Sequence, residues 1–114
     1  MQRTDGLWYW AEYSTFNISD EAGNYQLTVD GYSGDASNAL MITTRERYAA
    51  NGRMFTTTDN DNDSASGNCA STSGGWWLGR CSTSRLNSDA NTTVWKSLAA
   101  VPKVLHSRML LKVD

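Results

Sequence analysis

Asp59-Asn60-Asp61-Asn62-Asp63 sets three carboxylates at alternate positions with amide oxygens between them, a density of hard oxygen donors that suits calcium. Negative charges this close repel one another, and a bound cation is the direct way to hold them together. The run is not an EF-hand: the sixth and twelfth places of that loop need Gly and Glu and here hold Ser64 and Ala70. A solvated acidic turn has the same composition, so the run alone leaves both readings open. Downstream, Cys69 and Cys81 bracket Gly74-Gly75-Trp76-Trp77. The only histidine, His106, is distant in sequence, which favours a disulfide over half of a zinc site. A disulfide in turn implies an oxidising compartment. Adjacent residues on a strand face opposite ways, so one of Trp76 and Trp77 can fill the core while the other lines a surface pocket; burial of both is the competing arrangement.

Other chemistries lack their parts. The chain has no G-x-S-x-G and no Gly-rich phosphate loop, so neither a nucleophilic triad nor a P-loop can be assembled. Its one acidic cluster is better used on a metal than as a sugar-cleaving pair. The chain therefore reads as non-enzymatic. Ten Lys and Arg against twelve Asp and Glu give a net charge of −2 without a basic run, which argues against nucleic acid. No stretch approaches the roughly 18 apolar residues that cross a bilayer. The start, MQRTDGLWYW, lacks the layout of a signal peptide. Thirteen Ser, twelve Thr and nine Asn resemble the surface of a secreted, β-rich protein. Three sequons, at Asn17, Asn62 and Asn91, point weakly the same way.

The 114 residues suffice for one domain at most. LWYWAEYSTF, residues 7–16, reads as a strand with apolar neighbours on both faces. NYQLTVDGY follows as a second, with Tyr25, Leu27 and Val29 on one face and Gln26, Thr28 and Asp30 on the other. Gly31 and Gly34 mark a turn, and SNALMITTRERYAAN holds a short helix capped by Ser37 or Asn38 and stopped at Asn51-Gly52. From Thr56 to Ser88 the chain is mostly Thr, Asp, Asn, Ser and Gly, too long for a packed domain unless a metal or a disulfide orders it. VLHSRMLLKV closes the chain as a strand that pairs with the first ones, with His106 as a hydrogen-bonded structural residue inside it.

NYQLTVDGYSGDA, NGRMFTTTDNDND, SGNCA, GGWW and RCSTSRLN, in that order, resemble the C-terminal half of the fibrinogen-related domain, from about Tyr13 to the end of the chain. The resemblance implies an extracellular α+β fold: a twisted, mainly antiparallel sheet with short helices and a long region ordered by calcium and a disulfide. It places the calcium ligands on the side chains of Asp61 and Asp63 and the carbonyls of Ala65 and Gly67, with Asp59 supporting from outside, and pairs Cys69 with Cys81. In the family's lectins a pocket beside this loop takes the acetyl group of N-acetylated sugars, and the peptide before the second cysteine is cis, which here is Arg80-Cys81. Trp76 or Trp77, Arg80, Cys81 and Ser82 would line that pocket.

Ser82 stands where the family usually has His, and Asn87-Ser88-Asp89-Ala90 where it has an Asn-Gly-x-Tyr run. The first expectation is thus an acetylated-carbohydrate lectin of innate recognition. The alternatives are a protein-recognition module of the fibrinogen and angiopoietin type, or a truncated chain without a ligand of its own. The resemblance also makes residues 1–114 a partial domain without its N-terminal part, any self-association residing upstream.

Overall fold

The structure, a computed structural model, describes residues 1–41, 46–88, 93–95 and 104–112. Its longest elements are the two strands legible in the sequence. β2 (Ala11–Ile18) and β3 (Leu27–Gly34) form an antiparallel hairpin running in register from Ala11↔Gly34 to Ile18↔Leu27. Alternation along β3 buries Leu27 and Val29 completely and leaves Thr28 and Asp30 in water. The turn between the strands is closed by polar side chains. Asp20 accepts from the Gly23 N–H, and the Ser19 hydroxyl accepts from the Gln26 N–H. The free edge of β3 is covered by residues 51–53: Leu27 N–H donates to the Arg53 carbonyl, Gly52 N–H to the Leu27 carbonyl, and Val29 N–H to the Asn51 side chain.

The remaining described strands are short and also antiparallel. β1 (Gln2–Arg3) pairs with β8 (Val104–His106), so only the first three described residues of the expected closing strand form one, and they pair with the start of the chain and not with β2 or β3. β4 (Phe55–Thr56) pairs with β5 (Trp76–Trp77), and β6 (Ser84–Arg85) with β7 (Val94–Trp95). One α-helical turn, α1 (Ala70–Ser73), follows Cys69. No described helix is long and apolar enough to cross a membrane. The α+β, antiparallel class therefore holds.

Aromatic rings tie these pieces together. Trp77 meets Phe16 at 6.1 Å, Phe55 at 5.3 Å and Trp76 at 5.1 Å between ring centroids, all edge to face, the arrangement that the ring quadrupole prefers. Each buried indole N–H has an acceptor: Trp77 donates to the Tyr25 carbonyl (2.9 Å), Trp76 to the Ser84 hydroxyl (3.3 Å), and Trp95 to the Ser37 carbonyl (2.9 Å).

Several expectations change. Residues 7–10 are not in a strand; Leu7, Trp8 and Trp10 are more than half exposed, so the second apolar face predicted for this segment is absent. Tyr25 precedes β3 with φ of 55° and lies half exposed, because this left-handed backbone aims its carbonyl at Trp77 and its ring away from Leu27. Gly31 and Gly34 lie within β3, not in a turn after it. The expected helix over 37–51 is replaced by 3₁₀ turns at Ala39–Met41 and Glu46–Tyr48, with residues 42–45 outside the described set. His106 is exposed on the short edge ladder, where no packed element covers it, and is not a core histidine.

Gly34 and Gly52 separate conformation from space. Both have positive φ, 134° and 80°, but a Cβ at Gly34 would sit 2.3 Å from the Trp10 carbonyl oxygen, whereas nothing lies within 4 Å at Gly52. Gly52→Ala is expected to cost about 1 kcal/mol for its backbone alone. Gly34→Ala adds a steric cost of about 1–3 kcal/mol. The difference should appear as a lower urea midpoint for the Gly34 variant; equal midpoints would contradict this packing.

Candidate functional site

The Asp/Asn run occupies a loop between β4 and Cys69 that is stapled from inside by amide side chains. Asn62 Nδ2 donates to the Phe55 carbonyl (3.0 Å), and its main-chain N–H donates to the hydroxyl of the buried Thr56 (3.1 Å). Asn68 Nδ2 reaches the carbonyls of Thr57 and Thr58 (3.2 and 3.0 Å), and its Oδ1 accepts from the Ala70 N–H that opens α1 (3.0 Å). These amides satisfy main-chain groups that the loop, lacking a ladder, would otherwise leave unpaired.

The carboxylates have distinct roles. Half-buried Asp63 accepts from the Ala65 N–H through Oδ1 (3.0 Å) and from the Cys69 N–H through Oδ2 (2.8 Å). Exposed Asp61 accepts from the Asp63 N–H (3.2 Å). Asp59 turns away and accepts from the Thr57 hydroxyl at 2.6 Å, a bond that lowers its pKa below the ordinary carboxylate value. Asp59 thus holds the turn locally, at Thr57.

The described residues bring no three His, Cys, Asp or Glu side chains within reach of one metal ion, so a cation here must draw on main-chain oxygens as well. The donor chemistry fits a hard cation of the calcium kind. Two carboxylates, oriented by amide N–H groups and in no ion pair among the described residues, stand in one short loop with the carbonyls of half-buried Ala65 and exposed Gly67. A carboxylate has about four lone-pair positions, so the two amides at Asp63 leave capacity for a cation.

Beyond the loop, Cys69 and Cys81 are joined as a disulfide with Cα atoms 5.4 Å apart. Gly79 and Cys81 pair across a tight hook, and the Ser64 N–H donates to the Gly79 carbonyl (3.0 Å), so loop and hook share a main-chain bond. The described peptides are all trans, which corrects the cis expectation for Arg80-Cys81. Cys81 instead takes φ of 55°, a left-handed conformation that reverses the chain without a cis bond.

The residues expected to line the sugar site differ in exposure. Trp76 and Trp77 are both buried, so the competing arrangement holds. What they still show lines a shallow cavity of about 190 Å³ with Phe55, Gly75, Leu86 and Asn87, which Arg80, Cys81 and Ser82 do not reach. Arg80 is exposed; Ser82 is half-buried, and its hydroxyl accepts from the Ser84 N–H (3.1 Å). Asp89 and Ala90, of the run that departs from the family pattern, lie outside the described residues. A larger groove of about 1,050 Å³ is lined by residues of β2 together with Trp8, Trp10, Met109 and Leu110. Reasoning from sequence missed the Asn62 and Asn68 staples and the Ser64–Gly79 bond. Their only signal was the high Asn content of a segment without other structure.

Comparison with known proteins agrees with this arrangement. The family model of the fibrinogen beta and gamma chains, C-terminal globular domain, matches residues 1–100. Fibrinogen-like protein 1 of Mus musculus is 39% identical over 82 residues, which are 68% of this chain and 26% of the mouse protein. Protein scabrous of Drosophila melanogaster is 37% identical over 112 residues, 95% of this chain and 13% of that protein. Among solved structures, the fibrinogen-like globe domain of human ANGPTL2 matches 76% of this chain and 38% of its own, with TM-score 0.66 and 38% identity. Lamprey fibrin D-dimer, complexed with the peptide Gly-His-Arg-Pro-amide, matches 91% and 40% respectively, with TM-score 0.78 and 23% identity. The chain thus spans about a quarter of the length of the mouse relative.

The amide staples should dominate loop stability. Asn68→Ala removes three hydrogen bonds and leaves main-chain groups unpaired, an expected loss of about 2–3 kcal/mol by chemical denaturation. Asn60→Ala, which removes only an exposed side chain, should stay within about 0.5 kcal/mol of the parent. Similar losses for both would show that the staples do not hold the loop.

Proposed function

The chain belongs to the family of the fibrinogen C-terminal globular domain, a family of recognition modules, and from that premise we propose that it is an extracellular module that binds a protein or peptide ligand, its loop ordered by calcium. One observation carries the choice of ligand class. Neither Trp76 nor Trp77 offers an open wall for an acetyl group: both are buried in the core, where the Trp76 indole N–H donates to the Ser84 hydroxyl, and the Ser82 hydroxyl accepts from the Ser84 N–H. The exposed aromatic surface lies instead along the groove at Trp8 and Trp10, each more than half exposed. Tryptophan is enriched among residues that anchor protein partners. The peptide bound by the lamprey relative belongs to the same ligand class. The disulfide agrees with secretion.

The second reading, an acetylated-carbohydrate lectin, rests on the hook. Arg80 is exposed there beside half-buried Cys81 and Ser82 and could offer a donor to an acetyl carbonyl. Binding is the whole activity in either case.

Calcium enters as a stabiliser. The Asp61 and Asp63 carboxylates with the Ala65 and Gly67 carbonyls would hold it, and the Ser64–Gly79 bond would pass the resulting order to the hook. A ligand bound only by the folded state adds about 2.7 kcal/mol at a hundred times its Kd. The Tm is therefore expected to rise in millimolar calcium over chelator and the rise to shrink in Asp61→Ala, with Asp59→Ala affected less. Identical Tm values with calcium and with chelator would end the calcium reading.

Ligand class is decided on a cell or matrix surface that captures the calcium-loaded protein. Retention is expected to disappear after protease treatment of the surface, to survive periodate oxidation of its sugars, and to resist free N-acetylglucosamine. Loss on oxidation, with competition by N-acetylglucosamine but not glucose, would replace the protein-ligand reading by the lectin one.

A further inference from the structure

The sequons were not used by the recognition reading, and the fold treats two of them in opposite ways. Asn17 stands near the end of β2 opposite Thr28, and both are exposed. Its neighbours on that face, Thr15 and Asp30, are also a cross-strand pair and also exposed, so the hairpin turns a polar face to water around Asn17. An oligosaccharide there would extend into solvent without displacing a packed element. Asn62 is half-buried inside the Asp/Asn loop. Its Nδ2, the atom that would carry a sugar, lies 3.0 Å from the Phe55 carbonyl it donates to, and its N–H is bound to the hydroxyl of fully buried Thr56. A sugar on that nitrogen would force the loop away from β4.

We propose that Asn17 is an N-glycosylation site of this chain and that Asn62, despite its sequon, is unmodified in the folded, secreted protein. The donor class is a lipid-linked oligosaccharide diphosphate. Nδ2 forms the bond to the anomeric carbon, the carbon–oxygen bond to the diphosphate breaks, Nδ2 loses one proton, and the lipid diphosphate leaves. In the folded turn the Ser19 hydroxyl accepts from the Gln26 N–H and donates to the Asp20 carbonyl, so transfer to Asn17 precedes closure of the hairpin turn, while Ser19 is still accessible.

This inference rests on the extracellular placement, and the test removes that dependence by supplying a cleavable secretion signal to the full chain in a eukaryotic host. The secreted protein is treated with peptide N-glycosidase in heavy-oxygen water, which leaves a labelled Asp wherever a glycan was attached, and its peptides are mapped. Label at position 17 and unlabelled Asn at position 62 are the expected results. In the companion variant, Asn17→Gln, the mobility shift caused by that glycan should be lost. Unlabelled Asn17 in the secreted protein, or label at position 62, overturns the proposal, and the mapping on the parent chain stands even if the variant is not secreted.

Discussion

Burial of the Trp77 indole with its N–H on the Tyr25 carbonyl is the constraint on which most of this structure depends. An indole removed from water must keep its N–H bonded or lose the free energy of a hydrogen bond. Its acceptor lies 52 residues away along the chain, on the far side of the Asp/Asn loop. Meeting that requirement draws β5 onto the start of β3, sets Phe16 and Phe55 edge-on to the same ring, and fixes the left-handed backbone at Tyr25. Trp95 repeats the device by reaching the Ser37 carbonyl. Strands of two or three residues have little ladder to hold them, so these long-range side-chain ties do for this fold what long strands do for a regular sheet.

The same economy governs the polar half of the molecule. Between β4 and Cys69 the main chain satisfies itself through Asn62, Asn68 and Asp63. The disulfide then closes a region that has only one turn of helix and a two-residue strand inside it. Ser64 is bonded to Gly79, and Asp63 to Cys69, whose disulfide partner is Cys81, so loop and hook are tied by two short routes. The loop can therefore act on a binding surface while taking no part in ligand contact, which is the role that calcium has in the proposed function.

That aromatic material is divided between core and surface also bears on ligand class. Trp76, Trp77 and Trp95 are consumed by packing, whereas Trp8 and Trp10 are more than half exposed and line a groove of about 1,050 Å³. An acetyl group needs a small apolar wall with one donor beside it. The small cavity at Trp76 and Trp77 does not include the Arg80–Ser82 segment. The protein or peptide ligand proposed above would use the groove edged by exposed indoles, aromatic residues being enriched at such contacts.

Alternation alone placed Leu27 and Val29 inside, and the order of motifs from NYQLTVDGY to RCSTSRLN identified the family, the Asp/Asn loop and the Cys69–Cys81 pair. Those features are legible because they are local: a period of two, a donor set within five residues, a fixed spacing between thiols. The directions of side chains on irregular backbone were not. Trp76 and Trp77 share the core because the two-residue strand packs under both Phe55 and Ser84. Tyr25 leaves the face of Leu27 because φ turns positive, and residues 7–10 make isolated main-chain bonds to Met1, Arg3 and Asp35 in place of a ladder. Asn62 and Asn68 act as staples only because β4 and α1 bring main-chain groups to meet them. Each of those outcomes depends on a partner distant in sequence or on a dihedral sign, and neither is written in residue types and spacing.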